Sequence, residues 1–300
     1  MDRGTKIKAY SAGVVFALLV GFSFLSVRVS VQIASPIEVL TFRYNFAFLA
    51  VCLTAAVFKS AGFNPKGKRK ALACSGVFYL LFLVLQAFGL VFSTSVESAI
   101  IFATVPVIAK IIARFLLGET STWQQNAFVG LSVSAVIIMV VMSAGDVEVN
   151  LLGIILLIFA SIGMASANVL FRYVRAEHSP FSITFAISTI GFVVLNAWYI
   201  FYLLNAHGSL SAYFSPFADS RFVIATVYLG VPCIVFTSWL MGYMLKHMEA
   251  IRATIFGNLS TAISIIAGVV VLGEVMALYK VICTVIIVTG VIGVSAFARK

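Results

Sequence analysis

The chain has 300 residues, of which 62% are hydrophobic and only 10% charged, against roughly a quarter charged in an ordinary soluble domain. The apolar residues come in blocks long enough to cross about 30 Å of hydrocarbon, which excludes a water-soluble domain and also the alternating ten-residue segments of a β-barrel. The net charge of +10 would suggest nucleic acid in a soluble protein, but here Lys and Arg gather in short loops on one side, so no nucleic-acid partner is expected.

The pattern predicts an all-α polytopic membrane protein with ten transmembrane helices, over residues 9–31, 36–58, 71–93, 96–117, 124–143, 151–172, 180–204, 221–245, 250–271 and 276–297. Arg3, Lys6 and Lys8 precede the first apolar run, which resembles a signal peptide. The run is too long and lacks a clean small-residue cleavage site, so it reads as an uncleaved first span. The breaks have local reasons: Ser35-Pro36, Asn64-Pro65-Lys66-Gly67, Gly118-Glu119, Gly145-Asp146, Ser179-Pro180, Ser215-Pro216 and Gly273-Glu274 are turn or helix-start chemistry.

Charge then sets an orientation. Arg3, Lys6 and Lys8, then Lys59, Lys66, Lys68, Arg69 and Lys70, then Arg114, Arg172, Arg175, Lys246, Arg252, Arg299 and Lys300 fall on one side. The alternate loops are nearly free of basic residues, and one carries Asp146 and Glu148. The positive-inside rule therefore puts both termini in the cytoplasm of a multi-pass protein of the bacterial inner (plasma) membrane, with an even number of spans.

One phrase occurs twice. Phe115-Leu116-Leu117-Gly118-Glu119 closes an apolar run in the first half, and Val270-Val271-Leu272-Gly273-Glu274 closes another in the second. Five spans separate equivalent points, so the copies fall on opposite faces, and residues 1–146 and 147–300 read as two inverted five-helix repeats. Both carboxylates follow a Gly at a helix–helix turn and read as caps of the next helix, meeting its positive dipole end.

At these residues the chain resembles the drug/metabolite transporter superfamily, specifically its ten-span EamA-type members. Ser98-Ala99, Pro106, Gly118-Glu119 and Gly130 are similar to the end of that family's half-repeat, as are Gly273-Glu274 and Gly290, with Thr261 in place of the Pro. Gly21-Phe22-Ser23-Phe24, Ser35-Pro36 and Phe42-Arg43-Tyr44 resemble its opening, although Val20 replaces the usual Trp and no Asn follows Ser23. In the second half Ser179-Pro180 recurs, with Ile187 where Arg43 stands. The resemblance covers nearly the whole chain. It implies a secondary transporter with a central cavity between the halves, and it does not imply a substrate.

Several residues are candidates for contact with a small-molecule substrate. Arg43 lies seven residues inside Pro36, roughly 10 Å deep at about 1.5 Å per residue. A guanidinium there either pairs with Glu38 or Glu97 or recognises an anionic group of the substrate. Lys110 is eight residues before Gly118, and it either faces the cavity, snorkels or pairs. Thr104 shares its helix stripe. Asn168 and Asn258 are polar groups at membrane depth that either satisfy a neighbouring helix or line the pathway. Phe24, Tyr79 and Trp239, with Phe22 and Phe82, stand at plausible cavity positions. Ser260, Ser264 and Gly268, and likewise Ala99 and Ala103, recur at four-residue spacing and read as close-packed helix faces.

Cys52, Cys74, Cys233 and Cys283 all sit within apolar runs without a Cys-x-x-Cys, and read as packing residues. No cofactor, metal or enzymatic activity is expected: His-Glu-x-x-His, Gly-x-Ser-x-Gly and paired deep carboxylates are absent from the sequence. The leading expectation is alternating-access transport of a small metabolite, an amino acid or related compound moved outward, by a monomer or homodimer in the lipid bilayer. Protons are the candidate coupling ion. The alternative is a proton-coupled exporter of cationic drugs. The related small multidrug resistance proteins use a carboxylate deep in span one, and here no acidic residue lies between Asp2 and Arg28.

Overall fold

A computed structural model describes residues 3–58, 67–118, 122–143, 150–175, 177–205, 210–247 and 250–297. Among them the chain is helical, with no strand: α1 (Arg3–Ile33), α2 (Pro36–Phe58), α3 (Arg69–Val91), α4 (Ser95–Phe102), α5 (Val105–Leu117), α6 (Trp123–Ser143), α7 (Leu151–Val174), α8 (Pro180–Asn205), a 3-10 segment (Leu210–Ala218), α9 (Ser220–Gly230), a π-turn (Val231–Phe236), α10 (Thr237–His247), α11 (Ala250–Leu272) and α12 (Leu278–Ala296). Eight helical stretches are long and apolar enough to cross a membrane, and two shorter apolar ones, Leu259–Leu272 and Leu278–Val294, follow. Glu119, Asp146 and Glu148 lie outside the described residues.

Helix ends in hydrocarbon must satisfy their own backbone groups, and the sequence supplies the partners. The Ser35 N–H and Oγ donate to Glu38 Oε2 at 2.8 and 2.7 Å ahead of Pro36. Thr94 and Glu97 form a reciprocal capping box on α4. Asn150 Oδ1 accepts from the Leu152 N–H at 2.9 Å, and Asp219 Oδ1 from the Arg221 N–H at 2.8 Å. Gly118 and Gly273 both have φ 67°, the left-handed conformation that a residue without a Cβ adopts freely, so the duplicated phrase ends its helix the same way twice.

Two predicted spans are interrupted. The stretch expected as one helix over 96–117 breaks at Ala103-Thr104 into α4 and α5. Pro106 has no N–H to offer the Phe102 carbonyl, and its ring crowds that oxygen. Thr104 Oγ1 instead donates to the Ile101 carbonyl at 2.6 Å. The stretch over 221–245 contains the π-turn at Val231–Phe236, where Pro232 has the same effect.

The two halves of the chain are interleaved. α3 packs along α7, α1 along α11 and against α9 and α10, α2 against α8 and α9, α6 against α12, and α4 against α11. Small residues carry the α4–α11 approach: Ala99, Ala103, Ser260 and Ser264 are all buried. Gly268 completes it, because an added Cβ would stand 2.6 Å from both Glu274 Oε2 and Ser95 Oγ. One core, centred on residues such as Tyr44, Leu83, Ile100, Leu157 and Phe222, runs through both halves.

Candidate substrate site

Arg43 sits on α2 with only 5% of its surface exposed. The α9 backbone reaches it at Gly230, where a Cβ would collide with the Arg43 carbonyl oxygen. The chain then turns through Pro232, which sets Cys233 within electrostatic reach of the guanidinium. Tyr79 of α3 and the adjacent Tyr44 are within the same reach. Tyr228 closes this group from α9, its hydroxyl donating to the Leu19 carbonyl at 2.7 Å, and Cys233 Sγ lies 3.5 Å from the same oxygen. Three helices, α2, α3 and α9, and the π-turn thus converge on one cation.

Among the described residues that cation has no hydrogen-bond or ion-pair partner. Arg43 Nε is buried without a hydrogen bond, and among the described residues the guanidinium forms no ion pair. The two carboxylates expected to neutralise it are engaged elsewhere. Glu38 holds Ser35 and accepts from the Tyr199 hydroxyl at 2.9 Å. Glu97, wholly buried, lies 2.8 Å from Lys280 Nζ and accepts from Ser93 Oγ at 2.7 Å. Neither is free to answer Arg43.

Glu274 also differs from expectation. It caps α4, in the opposite half, and not the helix that follows it. Its carboxylate accepts from the Ser95 and Val96 N–H groups and from Ser95 Oγ, each at 2.8 Å. The α11–α12 turn places Glu274 over the start of a helix broken eight residues later. Together with Lys280–Glu97 it fastens α4 at its N-terminal end.

An EamA-like transporter family profile matches this chain twice, over residues 7–141 and 151–296. The chain belongs to the EamA-like transporter family. It is 35% identical over 302 residues to Uncharacterized transporter YcxC of Bacillus subtilis, covering 100% of this chain and 96% of that one. It is 25% identical to Uncharacterized transporter YyaM of the same organism (95% and 92% covered) and 23% identical to an Uncharacterized transporter of Archaeoglobus fulgidus (93% and 96% covered). A solved crystal structure shares the fold with a TM-score of 0.67 over 97% of this chain and 98% of that chain, at 14% identity.

Within this family member the residues singled out from sequence fall into three groups. Arg43 and Tyr79 lie within electrostatic reach of each other, and a series of rings leads from there to Phe24: the Phe24 ring lies 5.4 Å from Phe102, Phe102 lies 5.4 Å from Phe82, and Phe82 lies 5.4 Å from Tyr79. Thr104 is buried at the α4–α5 break beside this ring series. Lys110 and Asn168 are half-buried on α5 and α7, two helices packed on each other, and neither side chain has a hydrogen bond or ion pair among the described residues.

Trp239 is placed differently from expectation. It is 61% exposed on the outside of the bundle, with its ring tilted against Phe236 at 5.5 Å and Tyr243 at 6.4 Å, because the π-turn rotates α10 relative to α9. Phe22 is likewise exposed. The Asn258 side chain lies outside the described residues.

Sequence reasoning missed Cys233, Tyr228 and Lys280. The first two sit around Gly230-x-Pro232, and a Gly and a Pro in mid-span were the available signal of a break. Lys280 was legible as a basic residue inside the last apolar run, on the side otherwise poor in Lys and Arg. Its neutralisation by Glu97 explains why it is tolerated there.

Proposed function

We propose that this EamA-family protein is a secondary transporter that moves a small metabolite, an amino acid or a related carboxylate-bearing compound, outward across the bacterial inner membrane by alternating access. The observation that carries the reading is Arg43: a guanidinium buried at the meeting of α2, α3, α9 and the π-turn, with no acid in answer among the described residues. An unpaired buried fork is suited to receive a planar anionic group in two parallel hydrogen bonds. Tyr79 and the ring series to Phe24 supply the apolar wall beside it.

An inverted-repeat arrangement of ten spans supports movement of this kind. Pairing each span with the one five later exchanges the α3–α7 contact with that of α1 on α9–α10, and the α1–α11 contact with that of α7 on α4–α5. The same exchange maps α6–α12, α2–α8 and α4–α11 onto themselves. The matching Gly118 and Gly273 turns and the twice-matched family profile agree with it. Broken helices at the centre of such a fold provide both hinges and polar backbone for cargo. Both termini then face the cytoplasm, protons are the coupling ion to be tested first, and the unit is a monomer or homodimer. A cationic drug fits poorly: a cation entering beside Arg43 meets like charge.

The test is uptake and efflux in proteoliposomes against amino acids, nucleosides and cations, with and without a proton gradient. Arg43→Gln is expected to abolish flux of the transported compound while the protein stays monodisperse in detergent, and Arg43→Lys to retain part of it. Undiminished flux in Arg43→Gln would sink the assignment.

A further inference from the structure

We propose that the transported species carries net negative charge, and that Arg43 and Lys110 act as two successive stations for its anionic group. The proposal rests on reading Arg43 as the substrate-facing group and adds the charge that the cargo must bring.

Ten acidic residues exist in the chain, and among the described residues only Glu38 and Glu97 fall within apolar helices. Glu38 is the third residue of α2 and is bound to Ser35 and Tyr199. Glu97 is consumed by Lys280. Glu177 and Asp219, in the turns, are held by Lys68 and Arg221, and Glu274 by the α4 N-terminus. Of the basic residues in the apolar helices, Lys280, near the start of α12, is answered by Glu97, and Arg28, near the end of α1, donates to the Leu90 carbonyl, while Arg43 and Lys110 stand deepest with no ion pair among the described residues. Two uncompensated cations therefore remain where charge is costly to leave unpaired.

The sign of the cargo follows. A zwitterion would bring a carboxylate for one of these cations, but also an ammonium that finds no unengaged carboxylate among the described residues. A cation would add repulsion. A net anion neutralises what is there.

Placement separates the two stations. Arg43 lies roughly 10 Å along α2 from its start, and Lys110 roughly 10 Å before the end of α5, so they approach the middle of the bilayer from opposite faces. Arg43 is 5% exposed, with Tyr44, Tyr79 and Cys233 within electrostatic reach, whereas Lys110 is half-buried and flexible enough to follow an anion towards the nearer surface. The Thr104 break lies about one and a half helical turns above Lys110, which lets α5 present it without moving α4.

The deciding experiment uses the full chain in proteoliposomes, with a potassium diffusion potential set by valinomycin. Counterflow of radiolabelled glutamate, succinate and benzoate is compared with that of leucine and lysine. Anion counterflow that responds to the potential is expected, with no leucine or lysine exchange, and with at least a tenfold fall in both Arg43→Gln and Lys110→Met. Leucine or lysine counterflow that is lost in Arg43→Gln would overturn the net-charge proposal while leaving Arg43 as the substrate-facing group. Anion counterflow unchanged in Arg43→Gln would overturn that underlying reading instead. Lys110→Met sits on a half-exposed surface, so it reports on the second station even if Arg43→Gln fails to fold. Undiminished anion counterflow in Lys110→Met would remove that station.

Discussion

Replacing Lys280 by Met tests the fastening of α4 directly. The pair is 2.8 Å apart, with side-chain exposures of 5% and 0%. At that separation and an effective dielectric near 20 the Coulomb attraction is about 6 kcal/mol, against a desolvation penalty of several kcal/mol per ion. Removing one partner leaves a wholly buried carboxylate with only Ser93 Oγ and the Thr94 N–H. Such a loss is expected to cost about 3–5 kcal/mol. Glu97→Gln should cost a similar amount, because it strands the ammonium. The double variant leaves no buried charge and should recover much of this, with a coupling energy of about 2 kcal/mol or more. Reversible unfolding in mixed dodecyl maltoside and SDS micelles, followed by tryptophan fluorescence, measures all four species. Singles within about 1 kcal/mol of wild type, or a double equal to their sum, would refute the view that these two groups hold α4 together.

Gly268→Ala should destabilise by about 1–3 kcal/mol, because its Cβ meets Glu274 and Ser95 at 2.6 Å; the same unfolding assay reads it, and a neutral result would mean the α4–α11 approach is looser than described. Asn196→Leu removes the side chain that donates to Asn45 Oδ1 at 2.6 Å and accepts from the Tyr213 hydroxyl at 2.6 Å. It should raise maleimide labelling of a Ser215→Cys reporter in the 3-10 segment several-fold, and unchanged labelling would show that the segment is held by its aromatic contacts alone. The Arg221 side chain beside Asp219 holds its carboxyl below the ordinary value of about 3.9. The α9 cap therefore contributes in full above that value and is lost as pH falls through the lowered one. Asp219→Ala should abolish that part of the acid sensitivity, as read by a pH series of melting temperatures.

The helices were legible because length and apolarity are direct requirements of the bilayer, and the Pro and Gly punctuation marks their ends. The breaks were less so. Pro106 and Pro232 are visible in the sequence, but whether a proline bends, widens or interrupts its helix depends on what stands ready to satisfy the freed carbonyl. At the first, Thr104 Oγ1 donates to the Ile101 carbonyl, one residue before the Phe102 carbonyl that Pro106 leaves unanswered. Arg43 was legible as costly and therefore informative, yet its two offered partners were chosen by depth alone. Sequence spacing within a span says nothing of which face another span presents, so Glu97 went to a lysine nearly two hundred residues away. Trp239 shows the same limit: a π-turn rotates everything after it, and nothing in the residues of the span tells which side Trp239 then faces.

The cap on α4 has a consequence for water. Glu274 supplies the acceptor for two backbone N–H groups of the opposite half, and Lys280 supplies the counter-charge for Glu97 beside them. If the halves part at this end, two donors and two opposite charges are bared together in a place that holds no substitute for them. Only solvent can fill that role, so separation and wetting there have to be one event. The junction would act as a hydration threshold, dry and closed or open and flooded, with no stable state in which this face of the protein is parted but empty.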